Sequence, residues 1–333
     1  MTDTPGKRLS RREFTRGLAA FTLGAPFASA VAGDNASQPL DAPLIDDPAF
    51  HRGFDIIERT AGSHKVEGRL APDFETGASL WTLAQWYSRF DLANAPREVL
   101  PDGGVRFFDG AKAVTFGAPG TSEADLTLEL NGRAEYNDAP PAPGGSWPHL
   151  LAGQHPRPKA PISKLSAVRI GVSYRLLRAD AYRGEGWSDR RHTAQFTLYF
   201  TIQNLSHASP GYGDYLWFGV PFYDARYPMP NPTHMQDRGN AHKSGTDKFI
   251  YTPGGAVFTD KKAIDGGWIS IDHDLLPHMR DALNAAWSAG FLQGSSNLDD
   301  YRIGGLNVGW EVTGTWDVSM RVRGLSLVES MLA

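Results

Sequence analysis

Val168-Arg169-Ile170-Gly171-Val172-Ser173-Tyr174-Arg175-Leu176 alternates large apolar side chains with polar or small ones along its whole length. A period of two is the signature of a β-strand with one face in a core and the other in water. The same period returns in Gln195–Ile202, where Phe196, Leu198, Phe200 and Ile202 oppose Gln195, Thr197, Tyr199 and Thr201. It also appears earlier, with Leu126, Leu128 and Leu130 set against Thr127, Glu129 and Asn131.

Working outward from these segments, further strands are expected at Val105–Phe108, Val114–Phe116, Tyr215–Tyr223, Lys248–Thr252, Trp268–Ile271, Leu306–Val312 and Trp316–Leu327. Turn residues separate nearly all of them. Pro277–Ala289 breaks the pattern with a run of helix formers, Asp274 or Leu275 before its first turn and Gly290 as its stop. Many strands, one late α-helix and no strand–helix alternation make the chain mainly β. The expected architecture is an antiparallel two-sheet β-sandwich of the jelly-roll type. No fixed-period repeat is present, which disfavours a propeller. Tyr227–Thr246 reads as a long loop, and long ordered loops are commonly functional.

Composition narrows the partners. The net charge is −4 and the sequence holds no cysteine. No basic arm for nucleic acid, no disulfide framework and no thiolate chemistry are therefore expected. Phosphate-loop, dinucleotide, His-Glu-x-x-His and Gly-x-Ser-x-Gly signatures are absent.

The N-terminus carries basic Lys7 and Arg8, then Ser10-Arg11-Arg12-Glu13-Phe14, then a modest apolar run from Leu18 to Phe27, then small residues at Ala28, Ala30 and Ala32. Ser-Arg-Arg-x-Phe resembles the twin-arginine export consensus, with Thr15 as its departure. The resemblance implies passage through the twin-arginine machinery to the periplasm or outside the cell. The apolar run falls well short of the roughly 20 residues of a membrane span, so no stable anchor is expected. This divides the chain into a signal over 1–32, a disordered polar spacer over 33–49 and one sandwich domain over 50–333.

Chemistry is sought on strand faces. In Gly309-Trp310-Glu311-Val312, Glu311 points away from Trp310 and Val312 and shares its face with Asn307. Glu135 follows the Leu126–Leu130 strand, and Trp147, His149 and Gln154 cluster after a Pro/Gly-rich stretch. Asp224 and Arg226 close the aromatic strand that contains Trp217 and Tyr223. Glu135, His149, Asp224, Arg226 and Glu311 are thus the catalytic candidates, and Trp147, Gln154, Tyr199, Trp217, Tyr223 and Asn307 the substrate-binding ones. Four of the catalytic candidates have a plainer alternative: a solvated Glu311, an Asp224–Arg226 ion pair, a structural His149. No cofactor is expected: Asp272, His273, Asp274 and His278 bring together ligand types that a metal such as Ca2+ could use, but capping of the helix by Asp274 is the better reading.

Tyr215-Leu216-Trp217-Phe218-Gly219 and Gly309-Trp310-Glu311-Val312, leading into the final strand, resemble concanavalin A-like jelly-roll proteins that act on or bind carbohydrate. The resemblance covers about residues 120–330 and transfers no active site residue by residue. It implies a secreted enzyme acting on a polysaccharide or oligosaccharide in a groove on a concave sheet, either a lyase or a glycoside hydrolase. The alternatives are a noncatalytic lectin-like glycan binder and a structural envelope protein that binds another protein.

Overall fold

Alternating segments bury their apolar faces by pairing into sheets and stacking the sheets. In the computed structural model residues 41–156, 160–240 and 243–332 are described; the twin-arginine segment and most of the spacer, residues 1–40, lie outside them. In chain order the first strands are β1 (Asp41–Pro43), β2 (Phe54–Ile57), β3 (Val66–Leu70), β4 (Trp81–Ala84), β5 (Arg97–Val99), β6 (Val105–Phe108), β7 (Lys112–Phe116) and β8 (Leu126–Asn131). A short helix, α1 (Gly132–Tyr136), leads to β9 (His149–Gln154) and three long strands, β10 (Leu165–Ala181), β11 (Thr193–Asn204) and β12 (Tyr215–Asp224). Then come β13 (Thr233–Gln236), β14 (Gly239–Asn240), β15 (Lys243–Ser244), β16 (Phe249–Thr252) and β17 (Ile269–Asp274). Helix α2 (Leu276–Ser288) precedes the closing strands β18 (Tyr301–Thr313) and β19 (Trp316–Met331).

The first sheet runs β17-β10-β19-β8-β7-β6-β5, with β1 paired on the far end of β19; the second runs β13-β16-β12-β11-β18-β9-β4-β2-β3. Pairing is antiparallel except for β2–β4 and β12–β16, which are parallel. The result is a mainly β, jelly-roll sandwich with one substantial helix.

The alternating residues behave as their period requires. Val168, Ile170, Val172 and Tyr174 of β10 and Phe196, Leu198, Phe200 and Ile202 of β11 are all buried in one hydrophobic core. The Tyr174 and Phe222 rings stack at 4.7 Å where the sheets meet. Trp310 of β18 is fully buried and its indole N–H donates 2.9 Å to the carbonyl of Leu128 in the opposite sheet. Helix α2 presents Leu276, Met279, Ala282, Leu283 and Ala286 to the core, the i, i+3, i+4 stripe of an amphipathic helix. Asp274 Oδ1 accepts from the backbone N–H groups of Leu276 and Val168, so this carboxylate both opens the helix and ties it to β10.

The spacer assigned to 33–49 gives way to the fold earlier than its polarity suggests. Asp41–Pro43 pair with Val328–Ser330, and Leu44 and Ile45 are buried. Strand pairing at an edge uses backbone groups that any sequence supplies, and two apolar residues are too few to set a period.

The Trp310 contact generates a test. Trp310→Phe removes the donor and leaves the buried Leu128 carbonyl unpaired on that side, so urea unfolding should show a loss of about 1–3 kcal/mol. An unchanged midpoint would mean that this hydrogen bond does not join the sheets.

Candidate active site

With Leu306, Val308, Trp310 and Val312 turned inward, the intervening residues of β18 line the outer face of the second sheet. Across that face the register places His149 of β9 beside Glu311 of β18, Glu311 beside Gln195 of β11, and Gln195 beside Asp224 of β12. Neighbouring strands are about 4.8 Å apart, so the row spans roughly 14 Å from His149 to Asp224 and about 10 Å from Glu311 to Asp224. Leu151, Gln195, Thr197, Tyr199, Gly309 and Glu311 line a small depression at its centre.

The row divides into two pairs with different chemistry. His149 Nε2 stands 3.6 Å from Glu311 Oε1, with the histidine side chain nearly covered and the glutamate side chain 28% exposed. The rings of Trp86 and Tyr87 meet His149 edge-on at 5.8 and 5.7 Å and wall it on the far side. Asp224 is instead surrounded by donors. Its Oδ1 accepts from Thr193 Oγ1, the Arg226 backbone N–H and Arg226 Nε, and its Oδ2 accepts from Gln195 Nε2 at 2.8 Å and Arg226 Nη2 at 2.6 Å. A carboxylate has about four lone-pair sites, so Asp224 has none left for water or substrate. Burial opposes its ionisation, but Arg226 and Gln195 outweigh burial and hold its carboxyl below the usual aspartate range.

Two glycines make room on this face. Gly309 has φ +154°, and a Cβ there would sit 2.0 Å from the Leu150 carbonyl oxygen. Gly219 lies under the ring of Tyr199, and a Cβ on it would stand 2.6 Å from Tyr199 Cε1. The Tyr199 ring also packs against Trp217 at 6.4 Å, and Trp217 packs against Tyr215 at 5.4 Å. Thr246, at the end of the long loop, accepts from Trp217 Nε1 and fixes that ring. Burial and the neighbouring Glu311 charge hold the Tyr199 hydroxyl well above the ordinary tyrosine range, so it stays protonated.

The structure therefore brings His149, Glu311, Asp224, Arg226, Tyr199, Trp217 and Asn307 to one side of the second sheet, Asn307 lying opposite Gly153 and Tyr199. Trp147 lies just before β9 and is half-buried. Glu135, Gln154 and Tyr223 go elsewhere. Glu135 sits in α1 and is buried; it accepts from Ser88 Oγ and the Arg89 N–H and faces the wholly buried Lys112 ammonium at 3.7 Å. Gln154 is a tie between loops, donating to the carbonyls of Asp46 and Leu80 and accepting from the Asp46 N–H. Tyr223 turns into the core against Trp310 because β12 carries a bulge: Phe196 pairs with Tyr223 but Thr197 with Pro221. That extra residue reverses the alternation, sending Tyr223 inward and Asp224 outward.

Gln195, Trp86 and Tyr87 are not among the residues expected from the sequence. Gln195 was legible, since it shares the phase of Tyr199 on a firm strand. Trp86 and Tyr87 lie outside any alternating run, and Tyr87 takes φ +61°, a conformation uncommon for a bulky residue.

No protein-family model matches the chain, and no curated protein matches it. Solved structures with a similar fold include the endoglucanase Cel12A from Rhodothermus marinus, with TM-score 0.37 and 10% identity over 74% of this chain and 100% of that one. Others are a family 12 xyloglucanase from Bacillus licheniformis, with TM-score 0.38 and 10% identity over 75% and 99%, and a family 11 xylanase from Neocallimastix patriciarum, with TM-score 0.34 and 11% identity over 72% and 98%. At these values the likeness is one of sandwich architecture, and no residue role is carried across.

Two substitutions separate structural from reactive acids. Asp224 has a depressed folded-state pKa, so its stabilising contribution is present above the unfolded value near 3.9 and is lost as pH falls through the folded value. Asp224→Asn should accordingly lower the melting temperature at pH 7, with the gap from the parent protein narrowing in acid below about pH 4; a constant gap would contradict the ion-pair role. Glu135→Ala takes one of two carboxylate partners from buried Lys112, Asp109 Oδ2 remaining at 2.8 Å, and leaves Ser88 and the Arg89 N–H without their acceptor, so urea unfolding should show a loss of about 1–3 kcal/mol.

Proposed function

We propose that this protein is a carbohydrate-active enzyme that hydrolyses a neutral polysaccharide or oligosaccharide lying across the outer face of the second sheet. The observation that carries the reading is the His149–Glu311 pair at 3.6 Å, with Glu311 on the wall of a small depression that Gly309, Tyr199 and Gln195 also line. Aromatic rings stack on the apolar faces of sugars while amides and carboxylates take their hydroxyl edges, and Trp217, Tyr199, Gln195 and Asn307 supply both.

In this reading Glu311, the more accessible of the pair, gives a proton to the leaving glycosidic oxygen as the bond to the anomeric carbon breaks. Water supplies the hydroxyl at that carbon, and its second proton returns to the pair through His149, so one water is consumed for each bond broken. The separation exceeds a hydrogen bond, as is common before substrate tightens such contacts.

Hydrolysis is favoured over elimination on electrostatic grounds. A uronate lyase needs a group that neutralises the sugar carboxylate and a base that takes the α-proton. The residues lining the depression include no cation, Arg226 is committed to Asp224, and Tyr199 keeps its proton. A second reading, a noncatalytic glycan binder, is favoured by one fact: of the two carboxylates in the row, Asp224 is fully engaged by donors and only Glu311 faces the groove. Export by the twin-arginine route to the periplasm or beyond belongs to the same proposal, since a glycan polymer is met outside the cytoplasm.

Incubation with neutral and uronate polysaccharides, reading reducing ends together with the absorbance of unsaturated products, separates these readings. Hydrolysis predicts reducing ends from a neutral glycan without unsaturation, lowered at least about 100-fold by Glu311→Gln. Unsaturated products would make it a lyase; glycan retention without cleavage would make it a binder; activity unaffected by Glu311→Gln would remove this face from the chemistry.

A further inference from the structure

At the edge of the first sheet, away from the His149–Glu311 row, the sandwich holds two histidines nitrogen to nitrogen. His273 lies in β17 opposite Ile170 of β10, and His278 lies in the first turn of α2. Their Nε2 atoms are 3.2 Å apart, the rings are 22° from parallel with centroids 5.3 Å apart, and both are part-buried. Phe258 meets His273 edge-on at 5.2 Å and His278 at 6.4 Å, giving the pair an apolar flank.

The arrangement is held from both sides. β17 is paired to β10 from Ile269 to Asp274, which fixes the backbone of His273. Asp274 Oδ1 accepts from Leu276 and from Val168, which fixes the turn between strand and helix and therefore the start of the helix that carries His278. Two nitrogens at hydrogen-bond distance cannot both carry a proton between them, so at least one presents a lone pair to the other.

We infer that His273 and His278 form a two-histidine chelate for a divalent transition metal of the zinc, copper or nickel class, with water completing its coordination. With metal–nitrogen bonds of about 2.0–2.1 Å, nitrogens 3.2 Å apart subtend about 100° at the ion, between the tetrahedral and octahedral angles. Imidazole suits these metals, whereas calcium takes six to eight oxygens. The local carboxylates are otherwise occupied: Asp274 Oδ1 caps the helix and Asp272 pairs with Arg169 at 2.8 Å. Asp274 nevertheless lies at the strand–helix junction and offsets part of the positive charge that the helix and the ion would bring together.

A competing cluster exists. Ligand atoms of Asp47, His51 and Glu75 lie within 4.8 Å of one another. There, however, both Asp47 oxygens accept backbone N–H groups, from His51 and Arg52, and Glu75 is held by Arg52. A test must therefore separate the two places.

The experiment is Zn2+ titration of the full-length, untagged, metal-free protein by calorimetry, alongside His273→Gln, His278→Gln and His51→Gln. The expected result is one saturable equivalent in the parent protein, weakened by roughly tenfold or more in either of the first two variants and unchanged in His51→Gln. Cu2+ bound to the parent protein should show hyperfine coupling to two imidazole nitrogens by electron paramagnetic resonance, a readout that stands even if a variant fails to fold. No saturable Zn2+ binding, binding lost only in His51→Gln, or a copper spectrum with fewer than two nitrogens would each overturn the assignment.

Discussion

The indole N–H of Trp310 donating to the Leu128 carbonyl across the sandwich is the contact on which the geometry of the outer face depends. A buried indole needs an acceptor, and the acceptor lies in the other sheet, so β18 cannot slip by one residue without leaving both groups unpaired in an apolar interior. Strand side chains alternate strictly, so fixing Trp310 inward fixes Glu311 outward. Pairing of β18 with β9 and β11 then fixes which side chains flank Glu311, namely His149 and Gln195. A core hydrogen bond thus determines the composition of a surface row.

Much of this was legible in the chain. Alternation in Val168–Leu176 and Phe196–Ile202 reports burial on one face, which is a local property, and it located the long strands and the outward direction of Glu311 and Asn307. Failures occurred where a single residue changed the phase or where backbone did the work. At Pro221–Phe222 the bulge reverses the count, and Tyr223 enters the core while Asp224 leaves it. Proline suits such a place because it has no N–H to give to the ladder, yet composition alone does not say which neighbour is the extra one. Glu135 was visible as a carboxylate after a strand, but its partner Lys112 lies on a different strand, and that ion pair exists only once the first sheet has formed. The edge strand Asp41–Pro43 carries no side-chain signal at all.

The two acids in the surface row show how neighbours, rather than residue type, assign roles. Asp224 and Glu311 stand on strands either side of β11, and Gln195 between them gives its amide to Asp224. With Arg226 and Thr193 added, Asp224 becomes a fixed anion whose charge is largely cancelled, and its function is to hold Gln195 and Arg226 in place. Glu311 keeps exposed oxygen surface and has an imidazole, not a guanidinium, beside it. Arginine remains protonated at any working pH, whereas histidine changes charge near neutrality. A carboxylate beside arginine therefore has a permanent counter-charge, and one beside histidine does not.

That difference also bears on what the face can accept. With Asp224 cancelled by Arg226, the residues lining the depression offer no free cation. The aromatic rings of this face are Tyr199, seated on Gly219, and Trp217, fixed by Thr246. A side chain at position 219 would lift the Tyr199 ring from the sheet. The absence of a Cβ at position 219 thus fixes the height of the Tyr199 ring over the sheet, just as the donors around Asp224 fix that acid.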